Sequence, residues 1–192
     1  LAQQQKEAGA VTCRLIPSGP DDVPINAWEL TLLEMTYRAR RRLWLASPYF
    51  VPNAAVFAAL TAAALRGVDV RVLVPSKGDS TMAHLALLTY LPELSNCGIQ
   101  LLAYTPGFLH EKIALADESA CCIGTANLDE RSLRLNFELT LLMEGSDAAQ
   151  RVCQLLTDDM KQARLLTPQH FHSVGFFTRM AAHICRLLAP IL

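Results

Sequence analysis

An α/β domain whose mixed sheet is held between helices is the fold predicted for residues 11–165, on three observations. Apolar runs of strand length alternate with capped helical segments as far as residue 105. Two strands then follow so closely, within 109–124, that only a hairpin can join them. No internal repeat or low-complexity tract divides the chain, and 192 residues with 52% hydrophobic content are enough for one buried core.

Taken in order, 1–10 (LAQQQKEAGA) begins with Leu and carries neither part of a signal peptide, so it is expected to be the remnant of a linker in a longer protein. Val11 to Ile16 alternates as a half-buried strand and stops at PSGPDDVP. A helix follows, capped by Asp22 or Asp21 with Pro24 in its first turn and Trp28, Leu32, Met35 and Ala39 on its inner face. LWLASPYF (43–50) is a buried strand. Asn53 caps an Ala-rich helix closed by Gly67, and VDVRVLVP (68–75) completes a βαβ unit. A helix from Asp79 or Ser80 runs toward Tyr90, with Pro92 disturbing its end, before strand 99–105. LHEKIALAD and ACCIG form the hairpin. Residues 133–144 alternate Asn136, Glu138 and Thr140 against Phe137, Leu139 and Leu141 as a further strand, and a helix capped by Ser146 reaches about Arg164.

Residues 166–192 have a different character. Thr167-Pro168 opens a helical tail that gathers Phe176, Phe177, Met180, Ile184, Leu187 and Leu188 on one side. Such a face packs on its own domain or a missing partner half, or seats at a bilayer interface. The longest nearly apolar stretch, 54–65, is too short to span a bilayer as a helix.

Composition narrows the chemistry. With 17 basic and 18 acidic residues there is no global positive field, so no nucleic-acid partner is expected. The basic run Arg38, Arg40, Arg41 and Arg42 reads as a solvated helix end or as a contact for anionic lipid headgroups. The six cysteines show no metal-ligand spacing. Adjacent Cys121 and Cys122 should point to opposite faces of one strand. His170 and His172 read as a solvated pair, so no metal and no cofactor is expected.

The chemistry-bearing segment is HEKIALADESACCIGTAN, from His110 to Asn127. Two residues apart on extended chain, His110 and Lys112 project from one face, so a nucleophilic imidazole and a cation can converge on one phosphate. The hydroxyl of Thr125 and the amide of Asn127 follow Gly124, where the backbone can turn tightly, and can donate to the same oxygens. With Asp117, these six positions would coincide by chance in only about one chain in 10⁵ of this length. Attack by His110 gives a phosphohistidine, and the leaving alcohol then needs a proton from a second acid that this chain does not supply. Tyr49 and Phe50 are placed near the mouth of the site, with core packing the better reading for Phe50. Lys77, Ser80 and His84 are further candidates because they follow a strand end.

HxK-x4-D-x6-G-S-x-N is the signature of the phospholipase D superfamily, and this segment resembles it with Thr125 where Ser is usual. SPYFVPN, RGVDVRVLVPSKGDS, PGFLHEK and GTANLDERSLRLNFEL look like the second catalytic half of bacterial cardiolipin synthases, and the likeness runs from about 12 to 192. The resemblance implies a phospholipase D-like domain over 11–165 that transfers a phosphatidyl group from phosphatidylglycerol to make cardiolipin. It implies His110, Lys112 and Asp117 as the catalytic set, although Asp117 is as easily a turn-capping carboxylate. Glu138 of NFE would orient the histidine. A missing N-terminal half carrying the same motif, or a homodimer, would supply the second acid, at the surface of the bacterial cytoplasmic membrane. Hydrolysis by the same residues, as in a phospholipase D, or a homodimeric single-motif nuclease are the alternative activities.

Overall fold

Strand and helix alternate through the first half as the apolar periodicity requires, in a computed structural model that describes residues 11–22 and 25–188. The elements are β1 (Thr12–Ser18), α1 (Ala27–Arg38), β2 (Arg42–Ala46), β3 (Phe50–Val51), α2 (Ala54–Leu65), β4 (Asp69–Pro75), α3 (Thr81–Leu88), α4 (Leu91–Asn96) and β5 (Gln100–Tyr104). They continue as β6 (Ile113–Ala116), β7 (Ala120–Gly124), β8 (Leu128–Asp129), α5 (Glu130–Arg134), β9 (Glu138–Glu144), α6 (Ser146–Lys161), β10 (Ala163–Leu166), α7 (Pro168–His172) and α8 (Phe176–Leu187). The described residues build one eight-stranded mixed sheet in the order β1-β9-β7-β6-β2-β4-β5-β10, with β3 and β8 forming a small parallel ribbon beside it.

Parallel pairing holds β2, β4 and β5 together, because each is reached by a helical crossover. The β6–β7 hairpin then attaches to β2 antiparallel, so the sheet changes character at the β2–β6 seam. On one face Leu32 of α1, Leu60 of α2 and Leu94 of α4 pack on Leu43, Leu45 and Val72. On the other, Ala149, Val152 and Leu156 of α6 cover Trp44, Leu73 and Leu115. Each fully buried Leu contributes about 2 kcal/mol of transfer free energy. Cys122 joins the first layer and Cys121 the second, as the alternation of a strand demands.

Several boundaries differ from expectation for local reasons. α1 starts at Ala27 with Asn26 as its cap, while Asp22 accepts from the Ala27 amide at 3.0 Å; Pro24 lies outside the described residues. The run 43–50 breaks at Ser47, whose hydroxyl donates to the Tyr49 carbonyl, and Phe50–Val51 leaves the main sheet for the ribbon with β8. The α3 cap, expected at Asp79 or Ser80, is Ser80. Pro92 opens α4 in its first turn rather than disturbing the end of one long helix. The strand expected over 133–144 begins only at Glu138, since α5 occupies 130–134. Gly145, with φ 135°, precedes α6 where a Ser146 cap was expected. β1 is an edge strand with Leu15 67% exposed, instead of a half-buried one. β10 carries the sheet past the boundary at 165, and Phe171, Ala182 and Cys185 of the tail enter the main core.

Arg38 ends α1 largely in solvent, and three side chains of the arginine run have partners. Arg38 pairs with Glu34 at 2.8 Å, Arg41 and Arg42 both reach Glu118, and Arg42 and Arg71 each lie 5.0 Å from the Trp44 ring. His170 Nδ1 accepts from the Thr167 amide at 3.0 Å, so this histidine caps α7.

Candidate active site

The chain reaches the site in an irregular stretch, 108–112, just before β6, where the Lys112 carbonyl already accepts from the Gly124 amide at 3.1 Å. Leu109 is buried and anchors this stretch in the layer under α6. Its neighbour His110 is thereby turned out, with its ring stacked on Phe108 at 5.4 Å between centroids. The Lys112 ammonium stands 3.0 Å from His110 Nδ1 and 3.2 Å from Nε2, and donates to the His110 carbonyl at 2.9 Å. The convergence expected of the two side chains is present. Burial lowers the Lys112 ammonium from its ordinary value, while the charges of Glu138, Asp79 and Asp129 act against that shift.

The second wall comes from β7, β8 and β9. Gly124 does not have the positive φ of a tight turn. A Cβ there would stand 2.7 Å from the Leu139 carbonyl and from Thr140 Oγ1, so it is close approach of β9 that requires glycine. Thr125 then donates its hydroxyl to Glu138 and accepts from the Leu139 amide at 3.0 Å. Ser132 and Asn136 each donate to the other Glu138 oxygen at 3.1 Å. The Glu138 carboxylate is therefore held by three polar side chains, and among the described residues none of its hydrogen bonds goes to His110. The exposure expected of this run is inverted: Thr140 is buried, whereas Leu139 and, just before β9, Phe137 are exposed.

A cleft of about 380 Å³ beside this second wall is lined by Tyr49, Ser80, Asn127, Asp129, Arg131 and Asn136, with Val51 and Ala83 behind; His110 and Lys112 are not in its lining. The Asn127 side chain lies beside the Asp129 carboxyl and favours its charged form, and its own oxygen is buried without a partner among the described residues. Burial raises Asp129 from its ordinary value, against the hydrogen bond from the Ser132 amide and the influence of Asn127. Tyr49 donates to Asp79 at 2.7 Å. Burial and that carboxylate push the Tyr49 phenol up to about 12. The Tyr49 bond lowers Asp79, and the charge of His110 adds to the shift, which places this carboxylate within electrostatic reach of the imidazole.

Asp117 is the motif member that does not join the site. It sits at the opposite end of β6, on the order of 15 Å along the strand from Lys112. Its carboxylate accepts from the amides of Arg40, Arg41 and Arg42 at 2.9, 2.8 and 3.0 Å. Burial tends to raise it, but these three amides prevail and hold it below its ordinary value. With φ 53° it also occupies the left-handed region that Asp tolerates in a turn. The catalytic assignment of Asp117 is corrected accordingly: it fastens the α1–β2 turn to the hairpin. Phe50 is fully buried in the core, Lys77 is exposed beyond the β4 end, and His84 is half-buried and lowered by burial.

Asp79, Asp129, Ser132, Arg131 and Asn136 were missed as site residues. Asp129-x-x-Ser132 is legible as a helix cap, and Ser132 does donate its amide to Asp129 at 2.8 Å. Asp79 leaves no local signal, because its partner Tyr49 is thirty residues away.

Residues 32–160 match the family described as cardiolipin synthase, PLD-like domain. Among curated proteins, a cardiolipin synthase A of Pseudomonas putida (strain W619) is 44% identical over 182 residues, covering 95% of this chain and 38% of that protein. The chain thus spans about two fifths of the length of the curated relatives it matches. Among solved structures, phosphatidylserine synthase of Haemophilus influenzae superposes with TM-score 0.76 at 12% identity, over 95% of this chain and 48% of that one. Nuc of Salmonella typhimurium, a phospholipase D family member, superposes with TM-score 0.68 at 20% identity, over 82% and 99%. Both share the fold.

Proposed function

This chain belongs to the cardiolipin synthase family of phospholipase D-like domains, and on that premise we propose that it is one catalytic half of a phosphatidyltransferase. The substrate is phosphatidylglycerol and the product is cardiolipin. A ring nitrogen of His110 attacks phosphorus, the bond from phosphorus to the glycerol oxygen breaks, and the second half protonates the departing alkoxide. The hydroxyl of a second phosphatidylglycerol then attacks the phosphohistidine. The P–N bond breaks, its electron pair returns to the ring, and the attacking hydroxyl gives up its proton to the second half.

The observation that carries this reading is the Lys112 ammonium within 3.2 Å of both His110 ring nitrogens, a pair that feels the charge of Asp129, which lines the cleft together with Asn127. Lys112 and Asn127 neutralise and bond the phosphoryl oxygens. Thr125 acts through Glu138 instead of on the phosphate, and Glu138 orders the β9 wall facing the imidazole. The acid comes from a missing N-terminal half with the same motif or from a second copy. Exposed Phe137 and Leu139, flanking Glu138, offer that partner an apolar contact beside the site. The assembly works at the surface of the bacterial cytoplasmic membrane, and no described helix is long and apolar enough to cross one. The balanced charge favours a lipid over a nucleic-acid substrate.

The test is rapid quench of the two-half assembly with phosphatidylglycerol labelled in the phosphate. A labelled adduct on His110, with cardiolipin as the later product, is expected. Turnover without that adduct overturns the mechanism, and phosphatidic acid as sole product overturns transfer in favour of hydrolysis.

A further inference from the structure

The tail helix α8 has two faces of different fate. Ala182 and Cys185 are buried, and the helix is held against the domain by Arg186, which bonds Glu93 at 2.7 and 3.1 Å and lies 4.1 Å over the Tyr90 ring. The opposite face holds Phe176, Phe177, Met180, Ile184 and Leu187, and exposures of 66%, 78% and 81% at Phe176, Phe177 and Leu187 show that packing on its own domain does not satisfy it. An unpaired stripe of five large apolar residues must be covered by something.

Charge selects the occupant. Within α8 itself the charged side chains are Arg179 and Arg186, with no Asp or Glu, and since Arg186 is paired with Glu93, Arg179 is the cation left beside the stripe. Paired aromatics at one end and a cation beside an apolar stripe suit the headgroup boundary of an anionic bilayer. The position suits it too. His183, Arg186 and Leu187 share a cleft with Pro52, Asn53 and Glu130, the residues that immediately follow β3 and β8, while Val51 and Asp129 of that same ribbon line the catalytic cleft.

We propose that α8 seats the chain on an anionic phospholipid surface, with its exposed apolar face in the headgroup region and the catalytic cleft one ribbon's width away. The inference rests on the reading of an anionic phospholipid substrate, which it deepens by naming how the site is brought to it. The 192-residue chain is sedimented with vesicles of phosphatidylcholine alone or of phosphatidylcholine with phosphatidylglycerol. Binding to the anionic vesicles is expected, falling roughly tenfold or more in the double variant Phe177→Asp, Leu187→Asp and by a smaller factor in Arg179→Glu. Thermal melts matching the parent chain establish that the variants fold. Equal binding by parent and double variant, or no binding by the parent, overturns the proposal. So does an oligomer that the double variant disperses, because the face then covers protein. Adduct formation at His110 of the two-half assembly on a short-chain soluble phosphatidylglycerol is the independent arm: loss of vesicle binding with the adduct retained removes the seating alone, and His110→Asn binding vesicles like the parent separates seating from chemistry.

Discussion

The two ends of β6 carry two halves of one sequence motif and do opposite things. At its start, His110 is exposed and, among the described residues, its ring nitrogens meet only the Lys112 ammonium, so the ring remains open to a ligand. At its far end, Asp117 has three backbone amides on one carboxylate and a φ of 53° that few other side chains would accept. The first end leaves an exposed imidazole beside an ammonium, whereas the second commits its carboxylate to backbone amides. Motif membership alone therefore says nothing about whether a residue touches substrate.

Substitutions can break this contrast, beginning with the largest effect. His110→Asn should abolish transfer by the two-half assembly, a loss of about 10⁴-fold or more, with an unchanged melting temperature. A stability loss comparable to that at Asp117 would erase the distinction between the ends. Lys112→Met should cost about 10²–10³-fold in kcat. Because burial already opposes its charge, the melting temperature of this variant should hold or rise.

Asp117→Ala should do the reverse, destabilising the fold by about 2–3 kcal/mol and lowering the melting temperature by roughly 6–10 °C. Activity per folded molecule should stay within about twofold of the parent, since the carboxylate is remote from the cleft. Urea titrations against pH sharpen the point through the sign of two shifts. Asp117 is lowered in the fold, so its contribution is present above its unfolded pKa and is lost as pH falls through the folded value. Asp129 is raised by burial, so its contribution is present at low pH and is lost as pH rises through the folded value. Asp117→Asn should flatten the acid limb, and Asp129→Asn should remove the opposite slope. The smallest effect is expected at the exposed pair Glu34–Arg38 next to the same turn, where Arg38→Ala should change stability by only about 0.3–0.5 kcal/mol in denaturant.

Elements with a local cause were legible in advance. Asn53 caps α2 and Gly67 follows it with φ 88°, both as the chain alone suggested. Opposite faces for Cys121 and Cys122, and the β6–β7 hairpin, follow from strand periodicity and a short connection. Errors arose where a tertiary neighbour decided. Phe50 reads as continuous with 43–46 until β8 draws it away, and α5 replaces the first third of an alternating run because Asp129 caps it. In the site, the meeting of His110 and Lys112 was readable from spacing. The occupation of Thr125 by Glu138, and the bond from Tyr49 to Asp79, were not.

By itself the sequence determined the β2–α2–β4 unit, the β6–β7 hairpin and the meeting of a histidine with a lysine two residues on, because each depends on spacing within a short segment. Only the tertiary structure decided that Asp117 lies a strand's length from the chemistry, that Asp79 approaches it from another crossover, and that Gly124 serves a neighbour strand and not a turn. Those outcomes are set by register between strands distant in the chain. A strand rises about 3.3 Å per residue, so small shifts in pairing move a side chain into or out of reach of a phosphate.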